Sequence, residues 1–421
     1  MYFCRNKSSK LNYELFLAKR IVASKEHKSS ISAPIIKIAI IAIALGITIM
    51  MIAISTGVGL QQKIRQKIAG FNGHIQITNF DNNYSGITLE SVSTNQHFYP
   101  EFKNVEGIQK VQIYATKAGI IRTETDFEGI LFKGVGAEYD WSFFEEYLVG
   151  GNLPVFGEEI SDEVLISSFM SDRLGLKVGE KFNIFFVKED TSKRPNLRVV
   201  TVAGIYNSGF QEFDENFVIA DIRHIQRMNK WNENEVGGFE VLLNNFDAIE
   251  EKSQEVYLDT PSILNSESII DQFPAVFEWV SLFDNNIYLI IFIMILVAGI
   301  NMITALLVLI LERTQMIGIL KALGSTNTSI RKVFLYNAGY LILRGLFWGN
   351  LIGLSLLLLQ KFTGIITLDP ESYYVNTVPI FLDFGYILAL NIGTLFLCLA
   401  MLLIPSVVIS KISPVKSIKF E

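Results

Sequence analysis

Four long apolar stretches stand out from the otherwise polar sequence of this chain. Each one exceeds the about 20 residues that a helix needs to cross the hydrocarbon core of a bilayer. They predict four transmembrane spans, at 35–57, 287–311, 334–359 and 384–409. The expected class is therefore an α-helical membrane protein with four transmembrane helices.

The segment between the first two spans, 58–286, has a different pattern. Short runs of β-branched and aromatic residues predict strands. These runs are 74–78, 109–114, 129–134, 163–166, 181–187, 197–205, 217–220 and 239–243. Helical periodicity lies between several of them, at 169–174, 222–228 and 248–258. We expect a large mixed α/β domain of two lobes, inserted between the first and second spans.

The ends of this domain carry helical periodicity that runs into the neighbouring spans. The pattern continues past the first span over 60–68 and precedes the second span over 274–283. Helical stalks are therefore expected where the domain meets the membrane.

The distribution of charge predicts the orientation of the chain. The net charge is -6, with 50% hydrophobic and 19% charged residues. Basic residues outnumber acidic ones in 1–34, in the loop 312–333 and in the tail 410–421, whereas 58–286 is acidic. Short cytoplasmic loops and tails are enriched in Lys and Arg. Both termini and the loop 312–333 are therefore expected inside, and the large domain and the loop 360–383 outside.

The N-terminal segment contains an amphipathic stretch at 11–21. Leu11, Leu15 and Ala18 lie on one face, and Lys19 and Arg20 are expected in the headgroup layer. This spacing is typical of a helix that lies in the membrane interface. A frayed cytoplasmic tail is the alternative.

The third span carries two features beyond its apolar character. Asn337, Arg344 and Asn350 are predicted near one face of the helix. Glycines at 345, 349 and 353 form a small-residue seam, which allows helices to approach closely.

The short loop 312–333 also has helical periodicity, although it is too short to form a domain. A short basic helix held between two spans suits a contact that passes force between the membrane part and a soluble partner. Asn301, in the middle of the second span, has two interpretations. It either makes a hydrogen bond between helices, worth about 1 kcal/mol, or forms a polar spot on a cavity wall. Methionines at 50 and 51 would supply adaptable apolar surface for such a cavity.

The sequence contains no recognisable catalytic or nucleotide-binding motif. The nearest glycine-rich run, 318–325, lacks the Lys-Ser/Thr pair of a phosphate-binding loop and follows no strand. The four histidines have no ligand spacing, and Cys4 and Cys398 both lie outside 58–286. We therefore expect no enzyme activity, metal, cofactor or nucleic acid for this chain, and ATP hydrolysis in a separate chain.

The order of the elements and the loop sequence together resemble a known family. Residues 312–334 read ERTQMIGILKALGSTNTSIRKVF, with the most specific match at Glu312-Arg313 and 317–324. Residues 42–59 and 412–414 also match the style of the family. The chain resembles the permeases of lipoprotein-releasing ABC transporters, the LolC/LolE type. The wider group includes MacB-like exporters and the FtsX cell-division permease.

This resemblance implies a coupling helix that docks on a cytoplasmic ABC ATPase dimer, where ATP and Mg would bind. The implied coupling residues are Met316, Ile317, Gly318, Leu320, Lys321, Ala322, Leu323 and Gly324. It also implies a lipid-holding cavity between the first and second spans of two protomers. The candidate cavity residues are Ile47, Met50, Met51, Ile54, Met294, Val297 and Asn301.

The implied location is the bacterial inner membrane, with the large domain in the periplasm. The implied partners are a second permease protomer, identical or different, membrane lipids, a lipoprotein substrate and a periplasmic lipoprotein carrier. Residues 79–95, rich in Asn, are a candidate for the loop that meets the carrier.

Release of outer-membrane lipoproteins by mechanotransmission is the favoured hypothesis, and three others are weighed against it. MacB-like exporters of peptides or drugs usually carry a fused N-terminal ATPase, for which the 34 residues before the first span leave no room. FtsX-like permeases, which regulate cell-wall hydrolases, usually have a smaller exported domain. A membrane-anchored enzyme lacks a catalytic constellation.

Overall fold

The computed structural model describes residues 13–23, 32–80, 86–123, 126–186 and 195–412. In chain order the helices are α1 (Tyr13–Ala23), α2 (Ser32–Asn72), α3 (Ser142–Tyr147), α4 (Ser168–Leu174), α5 (Gln211–Asn216), α6 (Arg223–Asn229), α7 (Ile249–Asp259), α8 (Ile269–Gln272), α9 (Pro274–Glu312), α10 (Thr314–Ala322), α11 (Asn327–Thr363), α12 (Pro370–Tyr373), α13 (Phe384–Met401), α14 (Leu403–Ser406) and α15 (Val408–Lys411). The strands are β1 (Ile75–Asn79), β2 (Val92–Ser93), β3 (Ile108–Arg122), β4 (Phe127–Val135), β5 (Leu148–Gly151), β6 (Glu163–Ser167), β7 (Lys181–Phe186), β8 (Asn196–Tyr206), β9 (Phe217–Asp221), β10 (Glu235–Val236), β11 (Gly238–Leu243) and β12 (Leu264–Ser268).

The chain divides into two units. The membrane unit comprises Met1–Leu60, Ser281–Ile366 and Val378–Glu421, and the domain unit comprises Gln61–Val280 and Thr367–Thr377. Both α2 and α9 are continuous helices that contain residues of both units. The helical periodicity predicted over 60–68 and 274–283 falls within these two helices.

Four helical segments in the described part of the chain are long and apolar enough to cross a membrane. They are Pro34–Asn72, Pro274–Glu312, Asn327–Thr363 and Phe384–Lys411. The last segment is not one uninterrupted helix, because α13 ends at Met401 and the short helices α14 and α15 follow. Pro405 accounts for the break: it has no N–H, and its ring clashes with the carbonyl oxygen four residues earlier, that of Met401.

The glycines of α11 lie directly against α2. A Cβ atom on Gly345 would come within 2.7 Å of Ile43 Cβ. A Cβ atom on Gly349 would come within 2.7 Å of the Ala44 carbonyl oxygen. Thr48 Oγ1 donates a hydrogen bond of 3.1 Å to the Gly349 carbonyl oxygen, which requires this close approach. The predicted small-residue seam is confirmed as a contact between helices.

The three polar residues of α11 do not all share one face, so the prediction is wrong for Asn350. Asn337 is buried, whereas Arg344 is exposed, with its guanidinium carbon 4.6 Å from the centre of the Tyr340 ring. Asn350 and Asn391 of α13 exchange hydrogen bonds of 2.6 and 2.9 Å. Six residues turn an α-helix through about 600°, which leaves Asn350 about 120° from Arg344.

The domain unit is built on a mixed sheet of ten strands. Their order is β12-β1-β11-β3-β4-β9-β6-β8-β5, and β7 pairs with β3 and β8. The pairs β4–β9 and β6–β8 are parallel, while β3 pairs antiparallel with β4, β7 and β11. Strands and helices are interspersed through the described part of 58–286, which agrees with the expected mixed α/β fold.

Two strands of the sheet have no sequence signal. β12 has the polar sequence LNSES and lies at one edge of the sheet, next to β1. β5 has the sequence LVGG and lies at the opposite edge, next to β8. Each of these edge strands pairs along one side only. Its hydrogen bonds to that neighbour stabilise the strand despite its low intrinsic β propensity.

The last turn of α2 is anchored in the aromatic core of the domain unit. Phe71 is fully buried, and its ring centroid lies 4.6 Å from that of Phe213, 5.2 Å from Phe143 and 5.3 Å from Phe144. Burial of one such side chain is worth about 1.5–3 kcal/mol. The C-terminal end of α2 is therefore part of the domain core and not a free stalk end.

A buried ammonium group holds the same helix end. Lys133 Nζ on β4 donates hydrogen bonds to the Phe71 carbonyl oxygen and to Glu240 Oε1 on β11. Gln112 Nε2 donates a bond of 3.0 Å to the other oxygen of Glu240. The side chains of Lys133 and Glu240 are 2% and 0% exposed. The group ties the helix end to two strands, with charge and hydrogen bonds both satisfied.

The G349L substitution tests the contact between α2 and α11. We expect it to destabilise the membrane unit by about 1–3 kcal/mol, because the new side chain would overlap the α2 backbone. The measurement is the thermal unfolding temperature of the full chain in detergent. G393L is the matched control, since a Cβ atom on Gly393 of α13 meets nothing within 4 Å. Equal unfolding temperatures for the two variants would contradict the assignment.

The burial of His74 predicts that the domain unit is less stable at acidic pH. Burial lowers the pKa of His74 to about 4, and its Nδ1 accepts a 3.1 Å hydrogen bond from the Leu243 N–H. In the unfolded chain the His74 imidazole binds a proton near pH 6.5, whereas in the folded chain it does so only near pH 4. The contribution of neutral His74 to the free energy of unfolding is therefore fully present above pH 6.5. It should fall as the pH drops from 6.5 to 4, by about 3 kcal/mol in total.

Chemical denaturation of the full chain at a series of pH values measures this loss. H74Q should flatten the dependence between pH 6.5 and 4, because glutamine does not titrate and can still accept from Leu243. H97Q, at a side chain that is 52% exposed, should leave the dependence as in the parent. An unchanged profile in H74Q would assign the acid sensitivity to other groups.

Candidate functional site

The loop between α9 and α11 is an ordered short helix. α9 ends at Glu312, and α10 starts two residues later, with the Ile317 N–H donating to the Arg313 carbonyl oxygen over 3.0 Å. α10 ends where Gly324 adopts a φ of +92°, which side chains rarely tolerate. Thr326 then caps α11 by accepting a hydrogen bond from the Ser329 N–H. Both ends of α10 are therefore defined by local backbone chemistry.

One face of α10 packs on the membrane unit. Ile317 is fully buried in the apolar core formed with other helices of that unit, and Gly318 is buried as well. Met316 and Leu320 are partly buried against the same core. These members of the predicted coupling set support the position of α10, because their side chains point into the unit.

The opposite face of α10 is exposed and partly apolar. Ile319 is 47% exposed and Leu323 is 78% exposed, while Gln315, Ala322 and Gly324 are also exposed. Gln315, Ile319 and Leu323 follow each other at intervals of four residues and so form one stripe. We call Gln315, Ile319, Ala322 and Leu323 the exposed stripe. The predicted coupling set does not include Gln315 or Ile319. Their four-residue spacing from Leu323 would have placed them on the same helix face.

Lys321 ties α10 to the C-terminal end of the described chain. Its Nζ donates hydrogen bonds of 2.7 Å to the Ile409 carbonyl oxygen and 2.8 Å to that of Ile412. A longer bond of 3.4 Å reaches the Ser410 carbonyl oxygen. These carbonyls lie at the C-terminal end of α15, where a cation is favourable. Burial lowers the pKa of Lys321, and the charge of Arg331 adds to the shift.

The N-terminal helix α1 is packed beside the same loop. Ala18 of α1 and Val333 of α11 form a small buried cluster, and Leu17 and Met316 pack against it. Ser329 Oγ donates a 3.0 Å hydrogen bond to Glu14 Oε1. The described part of the predicted interfacial stretch, from Tyr13 onward, is helical, whereas Leu11 lies outside the described residues.

The predicted cavity residues fall into two groups. Ile47, Met50 and Met51 are 0–2% exposed and belong to the core of this chain's own helices. Met51 and Ile54 line a cavity of only about 10 Å³, too small for an acyl chain. In a single chain these residues therefore do not offer a free lipid-binding surface.

The second group lies on α9. Val297 is 41% exposed, Met294 is partly buried, and Asn301 is of intermediate exposure. Asn301 Nδ2 donates a 3.0 Å hydrogen bond to the Val297 carbonyl oxygen within its own helix. The helices α2 and α9 meet here, since a Cβ atom on Gly46 would lie 3.9 Å from the Met294 carbonyl oxygen.

Two other predicted features are only partly described. Of the candidate carrier loop 79–95, residues 81–85 lie outside the described part. Within the remainder, β2 pairs with β10, and Asn79 Nδ2 donates a 3.4 Å hydrogen bond to the Ser91 carbonyl oxygen. Cys4 and residues 413–414 also lie outside the described part.

Family models match most of the chain. The model for the MacB-like periplasmic core domain matches residues 38–256, more than half of the chain. The model for the FtsX-like permease C-terminal region matches residues 288–414. These matches define the class as an ABC transporter permease, a multi-pass membrane protein with a periplasmic domain of MacB type.

Similarity to individual proteins specifies the type of permease more closely. The lipoprotein-releasing system transmembrane protein LolC of Neisseria meningitidis is 22% identical, with 97% of this chain and 99% of the relative covered. The corresponding LolE of Haemophilus influenzae is 20% identical, with 96% and 98% covered. The crystal structure of the periplasmic region of MacB from Actinobacillus actinomycetemcomitans covers 48% of this chain and 92% of its own, at 12% identity and a TM-score of 0.33. The chain belongs to the family of MacB- and FtsX-like permeases and is a permease of the LolC/LolE type.

The contact made by Lys321 predicts the local stability of α10. In K321M the carbonyl oxygens at the end of α15 lose their cation and α10 loses its link to that helix. We expect amide hydrogen exchange in α10 to accelerate about tenfold, which corresponds to about 1.4 kcal/mol. Exchange is read by mass spectrometry on the full chain in detergent. K411M, an exposed lysine of α15, is the control; equal exchange in both variants would refute the role of Lys321.

Proposed function

We propose that this chain is the permease subunit of an ATP-driven transporter that releases lipoproteins from the inner membrane to a periplasmic carrier. The observation that carries the proposal is the exposed stripe of α10, on a helix whose other face and Lys321 side chain are held by the membrane unit. The full-length similarity to LolC and LolE proteins supports lipoprotein as the substrate class.

In this proposal, α10 is the element through which ATP hydrolysis in the partner drives movement of the permease. Exposed apolar side chains such as Ile319 and Leu323 favour a protein contact on a short helix otherwise packed in its own unit. The partner is a dimer of cytoplasmic ABC ATPase subunits, which binds ATP and Mg. Because Lys321 and the core residue Ile317 connect α10 to the neighbouring helices, a displacement of α10 moves α9, α11 and α15 with it.

In this proposal, the movement of the spans acts on the substrate through the periplasmic domain. In the proposed topology both termini and α10 are cytoplasmic, and the MacB-like domain is inserted between the first and second spans. α2 and α9 pass from the spans into that domain without a break. The anchoring of Phe71 and Lys133 allows a movement of α2 to reach the sheet instead of being lost at a flexible joint.

The lipid-holding site requires a second protomer. Ile47, Met50 and Met51 are covered by this chain's own helices, so the acyl chains contact the exposed side of α9, at Val297 and Ile300, which are 41% and 52% exposed. The second permease protomer closes the site from the other side. Closure driven by ATP hydrolysis then expels the lipoprotein to the carrier, without passage through a pore.

Depletion and complementation test the proposal. Cells depleted of this chain should retain newly made outer-membrane lipoproteins in the inner membrane, as measured by pulse labelling and membrane fractionation. A wild-type copy should restore sorting. A copy with L323D should insert normally but restore less than about one tenth of the release rate, because the charge removes the apolar contact to the ATPase.

L258D is the matched control, since Leu258 is 76% exposed on α7 of the domain unit. It should complement like the wild type. Normal lipoprotein sorting after depletion would reject the substrate class, and accumulation of exported peptides or a defect in cell division would identify a different transporter function. Full activity of L323D would reject α10 as the energy input while leaving the substrate open.

A further inference from the structure

The membrane unit contains a large groove formed by α1, α11 and α13, away from α2 and α9. Its volume is about 990 Å³. Leu343 of α11, Phe396 of α13 and Leu403 of α14 line it, and they are 54%, 70% and 57% exposed. Such a volume is at the upper end of the range for small-molecule sites. Because α11 and α13 belong to candidate membrane spans, the groove opens toward lipid.

The groove has a basic end. Lys19 of α1 and Lys332 in the second turn of α11 both line it, and both are exposed. The acidic group nearby, Glu14, is engaged by Ser329 through a 3.0 Å hydrogen bond. Lys332 also interacts electrostatically with the Glu14 carboxylate, so this end of the groove carries two ammonium groups against one carboxylate and has a net positive charge. Each Lys or Arg near an anionic membrane surface favours binding of the anionic headgroups.

A buried amide points to a ligand inside the groove. Asn337 lines it and is only 3% exposed, yet its side chain makes no hydrogen bond with any residue that the structure describes. An amide that lines an apolar groove without a protein partner leaves its hydrogen-bonding capacity unused, so a polar ligand atom at this point is favourable. Asn337 lies five residues after Lys332, about 7.5 Å further along the helix.

We propose that this groove binds an anionic glycerophospholipid. Its phosphate lies between Lys19 and Lys332, and its acyl chains lie along Leu343, Phe396 and Leu403. The Asn337 amide donates to an ester carbonyl oxygen, a group that lies below the phosphate in such a lipid. A headgroup alone would leave the apolar part of the groove and Asn337 unsatisfied, which is why a membrane lipid and not a free phosphate is the occupant.

The site has a consequence for α10. The lipid bridges α1 and α11, and α1 packs through Ala18 and Leu17 on Val333 and Met316. Occupancy therefore stabilises α1 in its position beside α10. This inference concerns a lipid bound to the permease and does not depend on a lipoprotein substrate.

Photolabelling tests the site. The full chain is reconstituted in vesicles of phosphatidylcholine that contain a trace of phosphatidylglycerol with a photoreactive acyl chain. In parallel, the same photoreactive chain is carried by phosphatidylcholine. After irradiation, we expect peptides covering 335–343 and 396–403 to be labelled preferentially by phosphatidylglycerol. K19Q and K332Q should each lower this labelling about fivefold, the value expected for one basic residue at an anionic membrane surface.

K361Q, at an exposed lysine near the other end of α11, is the matched control and should not change the labelling. K332R should retain it, which separates loss of charge from a folding defect. N337L should lower labelling by both lipids, because both carry the ester group. Equal labelling by the two lipids, or equal labelling in K332Q and K361Q, would show only the ordinary lipid layer around the protein and overturn the proposal.

Discussion

The structure of the domain unit depends on how the last turn of α2 is held. A helix ends in carbonyl groups that have no partner within the helix, and at the buried end of α2 water cannot supply one. Lys133 supplies it, and Glu240 and Gln112 compensate the ammonium charge and its hydrogen-bonding capacity. The aromatic rings around Phe71 then exclude water from the group. The sheet and the helix end are thus joined by a polar group inside an apolar shell.

Lysines act in the same way at two further helix ends. Lys67 Nζ donates a 2.8 Å hydrogen bond to the Tyr374 carbonyl oxygen just after α12, within the domain unit. Lys321 Nζ does so for the end of α15 in the membrane unit. In each case a long side chain places one positive charge at a helix C-terminus. These contacts join elements that are far apart in sequence.

The helices of the membrane unit are held together by different interactions, because apolar surface alone does not drive helix association in lipid. The contact of α2 with α11 relies on glycines and the Thr48 hydroxyl, and that of α11 with α13 relies on the Asn350–Asn391 pair. α10 is placed by Ile317 inside this core and by Lys321 at its edge. The proposed roles of the exposed stripe and the lipid groove both rest on α10 and α1 being packed on the start of α11.

The sequence by itself determined the class of the protein and much of its layout. Long apolar runs predict helices whatever their neighbours are, and Gly345 and Gly349 marked the seam because only glycine permits so close a contact. The central strands were predictable from their β-branched and aromatic residues. So was the helical character of 314–322, whose Gly324 defines its end.

Only the tertiary structure decided which side of each helix is used. Ile317 and Ile319 are the same residue type two positions apart, yet one is buried and the other forms the exposed stripe. The polar strand β12, the exposed position of Arg344 and the burial of Met50 depend equally on neighbours distant in sequence. Lys321 and Lys133 carry no local signal for their roles, because a lysine finds its carbonyl partners only once separate elements have packed together.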